Sequence, residues 1–297
     1  MQVITPVLTI FVLMALGFLS VRARVLDDHA ISGISAFVLY FAQPCLILAK
    51  LQQDVTPSLL LQLGQILLLT CVVMALSGLA AWRLFRRQAR PRRAVLANMV
   101  MASNCGFMGY PVISAVVGDD HIIYAVMYVT AFNLMCWTLG VFFFRGKGGI
   151  SAKQLVLNPT IWAVVGGMAL LLTGWRLPAF LNSAVSSMGD ITTPAAMFVI
   201  GARLVGLRPR ELRDPQALLA CALRLIAVPL GVLALLSLLP VGEGVRCALY
   251  ICSMMPCASL TGMQADVFGS EPAMASRGIA VSTAVSLVTV PLMLLLY

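Results

Sequence analysis

Apolar residues run through this chain in long unbroken stretches rather than in strand-like alternation. Ten can be drawn, at 3–21, 31–51, 59–82, 94–117, 121–144, 158–175, 180–203, 216–239, 244–265 and 273–296. At ~1.5 Å of rise per residue, each is long enough as a helix to cross a hydrocarbon layer ~30 Å thick. Nothing between them is long enough to fold as a separate soluble domain. The pattern predicts an all-α membrane protein of ten transmembrane helices embedded in a lipid bilayer. The first run, Val3 to Ser20, lacks a basic leader region and an obvious small-residue cleavage site, and is expected to be a retained helix.

Composition agrees. The 297 residues are 61% hydrophobic and 10% charged, whereas soluble domains carry roughly a quarter charged residues. A net charge of +9 would suit a nucleic-acid binder, but its placement argues otherwise. Most of the basic residues fall in alternate loops, the densest cluster being Arg83, Arg86, Arg87, Arg90, Arg92 and Arg93. That asymmetry is the positive-inside rule, which puts those loops in the cytoplasm and both chain termini on the opposite side. No nucleic-acid partner is expected. The eight cysteines all lie in or beside apolar stretches without CxxC pairing, so they read as packing residues. His29 and His121 fall in loops. No metal site, cofactor, nucleotide loop or hydrolase elbow is predicted, and no enzymatic activity.

The polar connection from Arg145 to Lys153 divides the ten spans into five and five: 1–145, a cytoplasmic connection at 146–157, and 158–297. Because five is odd, the second half enters the membrane from the opposite face, as in inverted-repeat transporters. Prolines echo this: Pro6 and Pro159, Pro44 and Pro194, and Pro111 and Pro256 occupy related places in the two halves. Spans four and nine look broken. Asn104, Gly106, Gly109 and Pro111 interrupt one, and Pro256, Ser259 and Thr261 the other. Proline removes a backbone donor and clashes with the preceding turn, and glycine lowers helix propensity. Irregular backbone at membrane depth is tolerated only where protein buries it or it lines a wet cavity. Half-helix N-termini exposed there carry amide donors and partial positive charge, which suits an anionic ligand.

At these residues the sequence resembles the auxin efflux carrier family, in its bacterial branch of malonate- and malate-permease-like proteins. The carrying stretches are Asn104 to Val112 (NCGFMGYPV), Asn158 to Leu204 with its NPTIWAVVGG, GWRLP and MGDITTPAAMFVIGARL segments, Pro256 with Ala258, and Asn133 with Gly140. The resemblance implies ten helices in two inverted repeats, with scaffold spans 1, 2, 6 and 7 and a moving transport domain of spans 3–5 and 8–10. It further implies that spans four and nine cross at their breaks, that access alternates by an elevator motion, and that the protein is a homodimer in the cell (inner) membrane.

Asn104 leads the candidate substrate contacts, because its amide both donates to a carboxylate and accepts from a neighbour. Gly106, Gly109, Pro111 and Pro256 are expected to shape the breaks. Ser259 and Thr261 offer hydroxyls, or bond their own helix. Gln43, before Pro44, and Asn133, in span five, are further candidates, each with a structural reading beside the functional one. Arg224 lies ~12 Å along span eight from its cytoplasmic end. An ionisable residue at that depth either attracts an anionic substrate, snorkels, or pairs with a helix C-terminus. Asp190 in span seven is the candidate for ion coupling, or else lines a wet entrance. Few other carboxylates are intramembrane, which favours an organic-anion carrier over a cation exchanger. The rivals are a cation- or proton-coupled carrier of a neutral or hydrophobic solute, a non-transporting membrane sensor, and an intramembrane enzyme.

Overall fold

The computed structural model describes residues 4–145, 159–206 and 214–296; the connection at 146–157 lies outside them. The helices are α1 (Ile4–Arg22), α2 (Asp28–Lys50), α3 (Pro57–Leu84), α4 (Arg90–Met101), α5 (Cys105–Val117), α6 (Asp119–Arg145), α7 (Pro159–Thr173), α8 (Ala179–Asp190), α9 (Thr192–Arg203), α10 (Pro215–Leu238), α11 (Glu243–Ser253), α12 (Ser259–Val267) and α13 (Pro272–Leu294). Among the described residues there is no strand beyond one isolated bridge. By length and composition, α2, α3, α6, α10 and α13 are each able to cross a membrane. Leu8–Arg22, Cys105–Val117 and Pro159–Thr173 are shorter apolar helices.

Proline sets much of this segmentation. Pro57 and Pro215 stand in the first turns of their helices, where the missing N–H has no intrahelical partner to lose. Thr56 and Asp214 cap those same helices through their side chains. Farther inside, three wide π-helical turns, Val38–Ala42, Cys105–Gly109 and Leu223–Ala227, end two residues before Pro44, Pro111 and Pro229. A proline ring clashes with the carbonyl four residues back, and that carbonyl falls inside the widened turn each time. Pro194 sits in the first turn of α9, just past the bend at Ile191 that separates it from α8.

The centre of the molecule is built from α4, α6 and α11. Every residue of α4 from Ala94 to Met101 is buried, as is α11 from Cys247 to Ser253, the all-round apolar character of a helix enclosed by others. The outer helices turn large side chains such as Leu61, Leu76, Trp162 and Phe180 outward. Packing falls into two groups. In one, α1 packs on α9, and α2 on α7 and α8; in the other, α3 packs on α4 and α6, α11 on α6, α10 on α4 and α13, and α12 on α13. The α1–α9 contact is backbone to backbone. A Cβ added at Gly17 would fall on the carbonyl of Phe198, and one at Gly201 on the carbonyl of Met14. This is the close approach that small residues permit in membranes.

At one end of the second group, Arg92 at the start of α4 pairs with Asp214 (2.6 Å) and Glu271 (3.3 Å), tying α4 to α10 and α13. Burial pushes the Asp214 carboxyl up, but amide bonds from Ala217 and Gln216 and the Arg92 guanidinium outweigh it and hold it below the usual carboxylate value. With the folded pKa depressed, the stabilisation is present above the unfolded value of ~4 and is lost as pH falls through the folded value. Asp214→Ala is therefore expected to cost about 1–2 kcal/mol at pH 7, mostly the lost cap. The gap in thermal stability from the parent protein should shrink as pH drops below ~4; a gap independent of pH would contradict the assignment.

Candidate substrate site at the crossing of two helix breaks

The helix of span four stops at Met101, because Ala102 turns extended (φ −93°, ψ 110°), and restarts at Cys105. Span nine stops at Ser253 and restarts at Ser259, with Ala258 extended before it (φ −69°, ψ 139°). The two interruptions lie against each other. Asn104 donates its backbone N–H to the Pro256 carbonyl at 2.7 Å, and Ala258 donates to the Ala102 carbonyl at 2.9 Å. Ser103 and Cys257 face each other as an antiparallel bridge. Each break thus supplies the backbone partners that the other lacks, which is how irregular chain survives in a buried setting. Cys257 N–H is satisfied by Ser282 Oγ of α13 at 3.1 Å.

Four helix ends meet here, and they are treated differently. The C-termini of α4 and α11 converge on Arg224 of α10, which is 1% exposed. Its guanidinium donates to the carbonyls of Val100 (2.9 Å), Met101 (3.2 Å) and Ser253, leaving Nε without a partner. The N-termini of α5 and α12 have no side-chain cap, at Asn104 and Ala258 respectively. Of their first-turn amides, Cys105 N–H donates to the Ser103 carbonyl at 2.8 Å and Thr261 N–H to the Ala258 carbonyl at 3.0 Å. Each helix end carries about half an elementary charge, so the four ends roughly cancel and the guanidinium remains. Among the described residues no Asp or Glu is buried, and none pairs with Arg224. The crossing holds about one uncompensated positive charge.

Around the start of α5 the sequence candidates gather. Asn104 is buried, with no hydrogen bond from its carboxamide. Gln43 of α2 is buried too, and its Nε2 lies 2.9 Å from where a Cβ on Gly106 would stand, so this position admits only glycine without displacing the amide. Gly109 faces Cys252 Sγ. Pro111 lines an open groove of about 350 Å³ between α1, α5 and α9, with Thr9, Ile10, Leu13, Ser114, Ala115 and Thr193. Pro256 contributes its carbonyl to the crossing.

Other candidates are placed differently. Ser259 is exposed at the first position of α12. Thr261 is buried and accepts from Asn98 Nδ2 at 3.2 Å. Asn133 donates to Val129 O in its own helix at 2.9 Å. Asp190 is the last residue of α8, some three turns into span seven rather than two. It is exposed there, on the same face as Ser183 and Ser187.

Two buried amides were not among the sequence candidates. Asn98 of α4 donates to Gln264 Oε1 of α12 at 2.9 Å, and Gln264 donates to the Cys136 carbonyl at 2.8 Å. Cys136 opens the π-helical turn Cys136–Gly140 of α6, and both amide oxygens lie over Gly140. The signal available in the sequence was an Asn and a Gln inside apolar spans, which membranes tolerate only with partners.

What the helices and this crossing define is a multi-pass membrane transport protein. A family model described as membrane transport protein matches residues 2–154 and 148–294, and the chain belongs to that family, the auxin efflux carrier family its motifs resemble. It is 28% identical to an uncharacterized transporter of Methanothermobacter thermautotrophicus over 96% of this chain and 95% of the relative. It is 23% identical to one of Methanocaldococcus jannaschii, over 96% of each. The uncharacterized transporter YfdV of Escherichia coli K12 is 21% identical over 68% of each.

Proposed function

We propose that this transporter carries small organic anions, malonate- or malate-like carboxylates, as a secondary carrier or facilitator. The single observation behind this is the buried Arg224 charge at a crossing with no carboxylate to balance it. In a low-dielectric interior such a charge attracts an anion strongly. On this reading the carboxylate is held by the first-turn amides of α5 and α12 and by the Asn104 carboxamide, with Gln43 beside them. Family resemblance and packing support the further reading of ten crossings in two inverted repeats. The α1, α2, α7, α8 and α9 group would stand still while the other, carrying the crossing, moves in an elevator step within the cell inner membrane, the termini outside. The homodimer rests on the family alone.

Purified protein in proteoliposomes, given labelled mono- and dicarboxylates, tests this reading. We expect saturable anion flux. Asn104→Ala should lower it about 10- to 100-fold, matching one hydrogen bond to a charged group at ~1.5–3 kcal/mol. Unaltered flux in that variant would remove Asn104 from the site. A second reading, cation or proton coupling through Asp190, draws on the exposure of that carboxylate with Ser183 and Ser187 partway along a span, where a face in hydrocarbon is costly. Flux that requires a pH or sodium gradient and disappears in Asp190→Asn would favour it.

A further inference from the structure

The converging C-termini of α4 and α11 pose a problem that the amide pairing of the two breaks does not solve. Each terminus leaves carbonyls without intrahelical donors and carries partial negative charge. Brought together in a dry interior, the two ends repel, and an unpaired carbonyl there costs as much as a lost hydrogen bond. A metal cation bound by backbone oxygens is one solution. Here the carbonyls of Val100 and Met101 on one side and Ser253 on the other all accept from the same guanidinium.

We infer that Arg224 is a resident cation that pins the two half-helices at the crossing, so that the carrier needs no co-transported cation to assemble its site. The inference rests on the anion-carrier reading for its transport consequence, but not for its structural one. Three features support it. The side chain reaches the crossing from a third helix, α10, and touches both breaks at once. Its fork of fixed donors suits several acceptors, where an ammonium has only a point charge. And the side chain is enclosed together with those carbonyls, at 1% exposure. Arg224 is thus a positioning residue. It sets where the uncapped N-termini of α5 and α12 stand relative to each other, through the backbone that joins them to the ends it holds.

The test uses the full-length protein in proteoliposomes and in detergent. Wild-type anion flux is expected to be equal in sodium, potassium and choline buffers. Arg224→Ala should lose flux at least tenfold, and guanidinium ion at concentrations far below denaturing should restore much of it, whereas urea, of the same shape but uncharged, should not. Arg224→Lys should fall between the two. Hydrogen exchange of peptides covering 99–108 and 251–262 should quicken in Arg224→Ala, because the Asn104 and Ala258 amides lose their cross-break partners, and guanidinium should slow it again. Sodium-dependent wild-type flux, full flux in Arg224→Ala, or unchanged exchange in that variant would each overturn the inference. Should wild-type protein carry no anion at all, the anion reading fails, while the exchange measurements still decide the pin. Should Arg224→Ala not fold, Arg224→Lys and the cation dependence of the wild type carry the test.

Discussion

Gly201→Leu is expected to deplete the folded protein more severely than any change at the crossing. At Gly201 the carbonyl of Met14 occupies the space a Cβ would need, and at Gly17 the carbonyl of Phe198 does. A flexible side chain gives way to a new methyl group; a helix backbone does not. The two helices would have to separate along their whole contact, losing packing that no hydrophobic force restores inside a bilayer. Overpacking of this kind costs about 3 kcal/mol, a large share of a typical net stability of ~5–15 kcal/mol. Fluorescence-detected size exclusion and thermal unfolding in detergent would measure it. A Gly201→Leu protein that melts with the parent would show that α1 and α9 are not held at this distance.

Gln264→Leu is the second large effect. The substitution fills similar volume but takes away one of two acceptors of Asn98 Nδ2, which keeps Thr261, and one of two donors to Cys136 O, which keeps the Val141 N–H. Each lost hydrogen bond costs roughly 0.5–1.5 kcal/mol, reduced in membranes because the reference state also finds partners, so about 1–2 kcal/mol in all. The sharper measurement is the double change. Asn98→Leu with Gln264→Leu removes both partners, so its cost should fall short of the sum of the two single changes by about 1 kcal/mol. Strict additivity would mean that the amides do not act as a pair.

The two cases show where local sequence suffices. The helical stretches, their ends and the interruption around Pro256 are legible because their causes are local: apolar length and a proline ring against its own preceding turn. The other interruption falls at Ala102–Asn104, just ahead of the Gly106–Pro111 segment expected to carry it, which instead continues α5 through a π-helical turn. The same logic located Asn104, Gly106 and Pro256 near one another in depth. It did not find Asn98 and Gln264, which look like unremarkable polar residues until α4 and α12 are placed side by side, 166 positions apart in the chain. Nor did it anticipate that the amides of Asn104 and Ala258 would be satisfied by the opposing break.

Arg224 marks the boundary most clearly. Its depth in an apolar span announced an expensive charge, but the sequence left open whether that charge meets a substrate, the interface or a helix end. Only the folded arrangement brings Val100 and Ser253, 124 and 29 positions away, to the same guanidinium. The sequence by itself determined where helices can and cannot continue, since backbone sterics and the hydrocarbon thickness act on neighbours along the chain. The tertiary structure alone decided which helix ends meet and which charges go unanswered. Electrostatic and hydrogen-bond partners are chosen by distance in space, and that distance is not written in the spacing of residues.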